Sequence, residues 1–367
     1  MLRAALALAF LLFLGTRFAE IKIPQKVQLL LGIDRPLVRI VQQFPPGTWI
    51  NDIAVDHDGQ LLVTFASAPE VWLVGPEGNI AKLVHRFEGT TSASGIAELK
   101  DDVFVVTAGN WSVERLGERG SWSMWTINTS PHKHDAANIT KVADVPELRS
   151  PTGIAALPSK TEAVVVADAS TGMVYRIDVW TGERTVIPTD ALLEPTEYAP
   201  VWLGVSSIAV RNLTPSRERS GTEDKWYLYF TRTFGDPSLG RISLNVHGEE
   251  AGKAAAPAEE IVRRTPGNVE VNDFAIDREG TIWLAASISH GILSVDEKSQ
   301  AQIPVELSGN NAIGAATAVA FGRRSKDRDI LYVATREGVS RPIAGNEWAA
   351  KIVAIDTSQL RIQSREY

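Results

Sequence analysis

A short phrase of polar, small and β-branched residues recurs six times along the chain, and a β-rich apolar run follows each copy. The copies are Ile50-Asn51-Asp52-Ile53-Ala54-Val55, Ser94-Gly95-Ile96-Ala97, Pro151-Thr152-Gly153-Ile154-Ala155, Ser206-Ser207-Ile208-Ala209-Val210, Asn272-Asp273-Phe274-Ala275-Ile276 and Ala316-Thr317-Ala318-Val319-Ala320. Periods of roughly 40–50 residues with several strands in each are the signature of a β-propeller, because a single four-stranded blade cannot bury both of its faces. Six copies predict an all-β fold, a six-bladed β-propeller.

Each phrase reads as the innermost strand of a blade, where small Ala lets backbones crowd near the axis. Second strands are expected at Gln60–Thr64, Asp102–Thr107, Ala163–Ala167, Trp226–Thr231, Thr281–Ala286 and Asp329–Thr335. Third strands follow at Val71–Val74, Trp122–Ile127, Met173–Asp178, Gly240–Leu244, Gly291–Val295 and Lys351–Asp356. Between them, Asp56-His57-Asp58-Gly59 and Asp277-Arg278-Glu279-Gly280 put Gly where a hairpin needs positive φ, which makes their acidic residues turn formers. The last blade has only three strands before the chain nearly ends, while Leu37–Phe44 is a spare β-like run ahead of the first copy. An N-terminal strand completing the last blade closes the ring and hides both edges. Asn110–Ser121, Arg211–Lys225 and His247–Glu259 break the rhythm and are expected to be solvated loops.

Composition narrows the chemistry. The chain of 367 residues has no cysteine, which excludes disulfides, thiolate metal sites and a cysteine nucleophile. Its net charge of −7 is spread over mixed acidic and basic residues with no Lys/Arg stripe, which argues against nucleic acid or an anionic membrane as partner. A small molecule is the ligand class that remains. Arg3 and the apolar run Ala4–Leu14 suit a signal peptide and are too short to span a bilayer. Cleavage after Ala19 places Arg17 where a small residue is preferred, so an uncleaved anchor stays open. Residues 1–19 are therefore assigned to a signal peptide or anchor, 36–358 to the propeller and 359–367 to a C-terminal tail, with secretion or the secretory pathway as location. Sequons at Asn110, Asn128, Asn138 and Asn212 are compatible with glycosylation there.

In a propeller the loops that enter the innermost strands and those that join second to third strands converge on one end of the channel. The entering loops place Asn51, Ser94, Thr152, Ser206, Asn272 and Thr317 there, and the connecting loops add Phe65, Thr107, Asp168, Arg232, Ser287 and Arg336. Any one of these also reads as a strand-end cap, since buried polar groups are usually paired. His290 is a further possible donor. His132-Lys133-His134 has ligand-like spacing but no further partner nearby in sequence, and a metal site needs three or four ligands. Trp49, Phe65, Trp111, Tyr198, Trp202, Phe234 and Trp348 give that end an aromatic wall suited to an apolar substrate. No Gly-x-Ser-x-Gly elbow, His-Glu-x-x-His, phosphate loop or dinucleotide fingerprint is present.

Gly153-Ile154-Ala155 followed by Val166-Ala167-Asp168 and Val174-Tyr175-Arg176-Ile177-Asp178 resembles the gluconolactonase/regucalcin-like six-bladed propellers, over nearly the whole chain beyond the leader. The resemblance implies a central divalent cation held by Glu, Asn and Asp of the entering loops. This sequence departs from that set: Trp49-Ile50-Asn51 has no Glu, Thr152 stands at the Asn and Asn272 at the Asp. No metal and no cofactor are therefore expected. Within the superfamily the chain resembles the fungal hetero-Diels–Alderases of tropolone–sesquiterpene biosynthesis. That resemblance implies loss of water from a hydroxymethyl tropolone or phenol to give an ortho-quinone methide, then cycloaddition to an alkene of a humulene-type terpene. For that chemistry Arg336, Arg232, Asn51 and Asn272 are the expected donors to the quinone-methide oxygen, and Asp168 the proton carrier. Trp49, Phe65, Trp111, Thr152, Tyr198, Trp202, Phe234, Ser287, His290 and Thr317 are the expected substrate contacts. A lactonase or esterase on the same scaffold and a non-catalytic binding propeller remain the alternatives.

Overall fold

In the computed structural model the described residues are 38–129, 137–158, 162–187, 191–198, 201–213, 224–233, 239–245, 252–263, 265, 270–286, 291–296, 302–304, 313, 315–336, 349–358 and 360, with no side-chain description for 191, 196–198, 201–202 and 302–304. Six four-stranded antiparallel sheets stand in sequence order as six blades. Their innermost strands are Ile50–Val55, Ser92–Lys100, Pro151–Ala156, Val205–Asn212, Val271–Ile276 and Ala316–Phe321, each carrying one copy of the repeated phrase. Second strands run over Leu61–Phe65, Val103–Gly109, Ala163–Asp168, Trp226–Arg232, Ile282–Ala286 and Ile330–Thr335, close to the expected spans.

The strand Ala163–Asp168 shows why a blade needs two neighbours. It is buried along its whole length, and its side chains alternate between faces as period two requires. Ala163, Val165 and Ala167 pack against the fourth blade, whereas Val164 and Val166 pack against the second. Six such apolar clusters lie between consecutive blades, and the last joins the sixth blade back to the first. Each fully buried Val or Leu in these layers contributes about 1.5–3 kcal/mol relative to an exposed one.

Closure follows the expected route. Val38–Pro46 lies antiparallel to Ala349–Asp356 in the sixth blade, with Val38 opposite Ile355 and Gln43 opposite Lys351. Leu37 lies outside the described residues. Phe44 and Val41 from that strand fill the cluster between the sixth and first blades. The acidic turns behave as turn formers: Gly59 and Gly280 adopt φ of 80° and 93°, and Asp56 and Asp277 each accept a backbone N–H of their own turn, from Gln60 and from Thr281. Asn110–Ser121 is not simply a loop, because Trp111–Ser112 pairs with Leu116–Gly117 as a small hairpin.

Candidate active site

Every innermost strand contains a β-bulge at the same place. Pairing with the second strand slips between Ile50 and Asp52, Ala93 and Ile96, Pro151 and Gly153, Val205 and Ile208, Val271 and Asp273, and Ala316 and Ala318. A bulge leaves a residue outside the ladder and re-aims its side chain. The residues so released are Asn51, Ser94, Thr152, Ser206, Asn272 and Thr317, and they form a closed ring of hydrogen bonds around the axis. Asn51 donates to the Ser94 hydroxyl at 3.2 Å, and Ser94 donates to the Pro151 carbonyl. Thr152 donates to the Ser206 carbonyl at 2.7 Å, and Ser206 to the Asn272 carbonyl at 3.0 Å. Asn272 then donates to the Ala316 carbonyl at 2.9 Å, and Thr317 to the Ile50 carbonyl at 2.7 Å.

All six ring residues line a cavity of about 600 Å³ at this end of the channel. Its apolar lining includes Ile53, Ile96, Ile154, Ile208, Phe274 and Val319, the residues two places beyond each bulge. The residue between differs by blade. Gly95 and Gly153 stand there in the second and third blades, and a Cβ on Gly153 would sit 2.8 Å from the Ser206 carbonyl. In the first and fifth blades the same place holds Asp52 and Asp273, and both line the cavity.

These two carboxylates are absent from the expected site. Asp52 accepts N–H bonds from Ile53 at 2.7 Å and from Ile96 at 2.9 Å. Asp273 accepts the Ser207 hydroxyl, and the N–H of Val319 at 2.7 Å. Burial raises both above the usual carboxylate range, and the neighbouring Asp273 charge pushes Asp52 further. Asp273 reaches about 6, held down against burial by the Ser207 hydroxyl and the backbone N–H groups of Val319 and Phe274. A sequence signal for them existed: Asn-Asp occurs in two copies of the repeat, Asn51-Asp52 and Asn272-Asp273.

One wall of the cavity is aromatic and cationic. Trp49 meets Trp111 edge to face at 5.0 Å, and the Arg336 guanidinium lies 4.6 Å over the Trp49 ring. Glu270 holds Arg336 Nη2 at 3.0 and 3.2 Å. The Trp111 hairpin is tied down by Thr91, whose hydroxyl accepts the Trp111 N–H, and by Ser150, which accepts the Gly117 N–H.

Several expected contacts lie elsewhere. Phe65 is buried against Phe44 at 5.1 Å in the cluster between the sixth and first blades. Thr107 is also fully buried and is not among the lining residues. Arg232 is buried and donates to the Glu194 carbonyl, so it braces a loop behind the wall. Asp168 is fully buried behind the cavity and accepts the N–H groups of Arg149, Ser150, Ser170 and Thr171; burial raises its pKa and those four bonds oppose the shift. Its carboxylate organises two backbone turns and does not line the cavity. Asn51, Asn272, Thr152 and Thr317 do line the cavity, with donor groups engaged between blades. Phe234, Ser287, His290, Trp348 and His132-Lys133-His134 lie outside the described residues, as do the side chains of Tyr198 and Trp202.

No family model matches this chain. A presumed hetero-Diels–Alderase of Phoma sp is 26% identical over 328 residues, covering 80% of this chain and 85% of its own. The chain is similar to hetero-Diels–Alderases. A second protein so named, from Sarocladium schorii, is 23% identical over 80% of this chain and 77% of its own. Among solved structures, the calcium-binding protein regucalcin of Agrobacterium tumefaciens superposes with a TM-score of 0.58 at 16% identity, covering 88% of this chain and 94% of that one. A luciferin-regenerating enzyme gives 0.54 at 13% identity, over 87% and 95%. These likenesses show the six-bladed fold.

The donor set does not fit a hard dication of the kind the propeller superfamily implies. Both oxygens of Asp52 and of Asp273 already accept N–H or O–H bonds, and the ring hydroxyls of Thr152, Ser206 and Thr317 are turned to carbonyls of the next blade. Calcium takes six to eight oxygens, and magnesium a near-ideal octahedron. The one group of three ligand-type side chains within 4.8 Å among the described residues is His57, Glu98 and Asp101, and Glu98 is ion-paired with Arg323.

Proposed function

We propose that this protein catalyses a hetero-Diels–Alder cycloaddition between an ortho-quinone methide, formed by loss of water from a hydroxymethyl tropolone or phenol, and an alkene of a humulene-type terpene, giving a dihydropyran. The observation that carries this reading is the Arg336–Glu270–Trp49 stack in the wall of a cavity that pairs apolar surfaces with polar side chains. The similarity to proteins named as hetero-Diels–Alderases supports it.

The reaction needs no nucleophile. It needs two neutral partners held face to face and a donor at the oxygen on which negative charge grows. Positioning of this kind can contribute on the order of 7–11 kcal/mol in ideal cases. Trp49, Trp111 and the apolar residues beyond the bulges supply surfaces for a planar diene and a terpene. Arg336, held in orientation by a carboxylate and a ring face, supplies the cation, and a preorganised donor acts without reorganising as charge develops. Among the described lining residues there is no His, Lys, Cys or Tyr, and Ser207 meets Asp273 with no imidazole between them, so these residues do not assemble a serine-hydrolase arrangement. We place the protein in the secretory pathway on the strength of the apolar run Ala4–Leu14.

The test is incubation of purified protein with a hydroxymethyl tropolone or phenol and a cyclic humulene-type terpene, followed by chiral chromatography. A single enantiomer formed above the background rate supports the reading. Racemic product at the uncatalysed rate overturns it, and lactone hydrolysis in its place restores the lactonase alternative.

A further inference from the structure

We propose that Asp52 and Asp273 act together as a proton-sharing pair that removes water from the hydroxymethyl precursor inside the same cavity that consumes the quinone methide. The proposal rests on the cycloaddition reading and assigns its first step to residues that the fold brings together from the first and fifth blades.

The ionisable groups lining the cavity, among the described residues, are Asp52, Asp273, Glu270 and Arg336. The one cation in that set is ion-paired with Glu270. Neither Asp52 nor Asp273 has an ion pair with a basic side chain among the described residues. The strands packed beside them present only neutral groups to the cavity: Ser94 and Ile96 from the second blade, Ser206 and Ser207 from the fourth, Thr317 and Val319 from the sixth. Two carboxylates buried at one cavity, whose one cation among the described lining residues is already held by Glu270, cannot both ionise readily, so the pair retains one proton.

Donor count assigns the roles. Asp273, with the Ser207 hydroxyl and the N–H groups of Val319 and Phe274, is the better stabilised anion and is the base. Asp52 has two N–H donors, and its pKa is raised further by the Asp273 charge, so it keeps the proton and is the acid. In the step, Asp52 gives its proton to the hydroxymethyl oxygen as the exocyclic C–O bond breaks and water leaves. Asp273 takes the proton of the adjacent ring hydroxyl, whose oxygen becomes the carbonyl of the quinone methide as the exocyclic C=C forms. One water is lost, no oxidant or reductant is needed, and the pair ends with the single proton it began with.

The experiment compares two routes to the same diene. One is the hydroxymethyl phenol, which needs the proton transfers. The other is an ortho-(dimethylaminomethyl)phenol that releases the quinone methide on irradiation. Asp52→Asn and Asp273→Asn are expected to lower turnover of the hydroxymethyl phenol on the order of 10²–10³-fold, a loss at least tenfold greater than any they cause in trapping of the photoreleased diene. Equal loss on both routes, or loss on neither, overturns the proposal. If the unsubstituted protein traps the photoreleased diene without selectivity, the cycloaddition reading itself fails, which is a different result. Should an Asn variant not fold, Ser207→Ala is the second test. Losing that hydroxyl donor raises the Asp273 pKa, so the pH profile of the hydroxymethyl route is expected to move up while photoreleased trapping stays flat; an unmoved profile overturns the assignment of the base.

Discussion

Asn272 and Asp273 are neighbours in sequence and both line the cavity, yet the fold gives them different partners. Asn272 stands at the bulge, and its amide reaches sideways to the Ala316 carbonyl of the next blade. Asp273, one residue on, lies in the cavity with an elevated pKa and no basic partner among the described residues. Asn51 and Asp52 repeat the division in the first blade. Asp168 sharpens the contrast, because a carboxylate that accepts four backbone N–H bonds away from the cavity is a structural organiser even though burial raises its pKa too. Burial and polarity are shared by all these side chains. What separates them is position: Asp168 holds its four N–H donors away from the cavity, whereas Asp52 and Asp273 hold theirs while lining it.

The largest effect is expected at the cavity cation. Arg336→Met leaves the Glu270 carboxylate unpaired and removes the donor, and a loss on the order of 10²–10³ in rate is expected on both the hydroxymethyl and the photoreleased route. Loss on the hydroxymethyl route alone would move Arg336 into the proton step and blur the distinction drawn from Asp273.

The ring is expected to answer in stability instead. Asn272→Ala strips the Ala316 carbonyl of its cross-blade donor and is expected to cost about 1–2 kcal/mol in chemical denaturation. Thr317→Val does the same at the Ile50 carbonyl, which closes the ring between the sixth and first blades. Rates on both routes are expected to stay within a few-fold of the unsubstituted protein. A 10²-fold loss of rate with intact stability would return the ring to the catalytic set.

Smaller still is a pH effect on folding. The folded protein binds a proton at Asp273 up to about pH 6, whereas an unfolded Asp titrates near 4. This contribution to stability is complete below about pH 4 and is lost as pH rises through 6. Asp273→Asn is therefore expected to melt a few degrees above the unsubstituted protein at pH 8, with the difference closing towards pH 4. A difference independent of pH would show that Asp273 carries no raised pKa.

The smallest expected effects are none at all. Treatment with a chelator is expected to leave turnover unchanged, and activity lost on chelation and regained with calcium or magnesium would overturn the reading of the donor set. Substitutions at Asp58 and Glu279, in the hairpin turns at the other end of the innermost strands, are expected to be silent as well. Rate losses there with folding intact would place the active face at the wrong end.

The fold was largely legible because its signals are local. Period-two apolar runs, acidic Gly turns and six copies of one phrase give blade count and strand order directly, and the spare run before the first copy matches the strand missing from the last blade. The candidate site was legible only in part. The six ring residues, Trp49, Trp111 and Arg336 do line the cavity. Phe65, Thr107, Arg232 and Asp168 share the same loop positions on paper but lie in or behind the walls, because connecting loops turn individually and no period governs where their side chains finish.

By itself, then, the sequence determined the six-bladed propeller, its strand closure, its hairpin turns and the end of the channel where polar groups gather, since each follows from neighbours in the chain. Only the tertiary structure decided which polar groups remain available to a substrate. The bulges turn Asn51, Thr152, Asn272 and Thr317 into links between blades, and glycines at the next position press the second and third blades close to those that follow them. Ring closure sets Asp52 and Asp273, from blades one and five, into the same cavity. That arrangement arises from cross-blade distances and shared burial, which no local run of residues encodes.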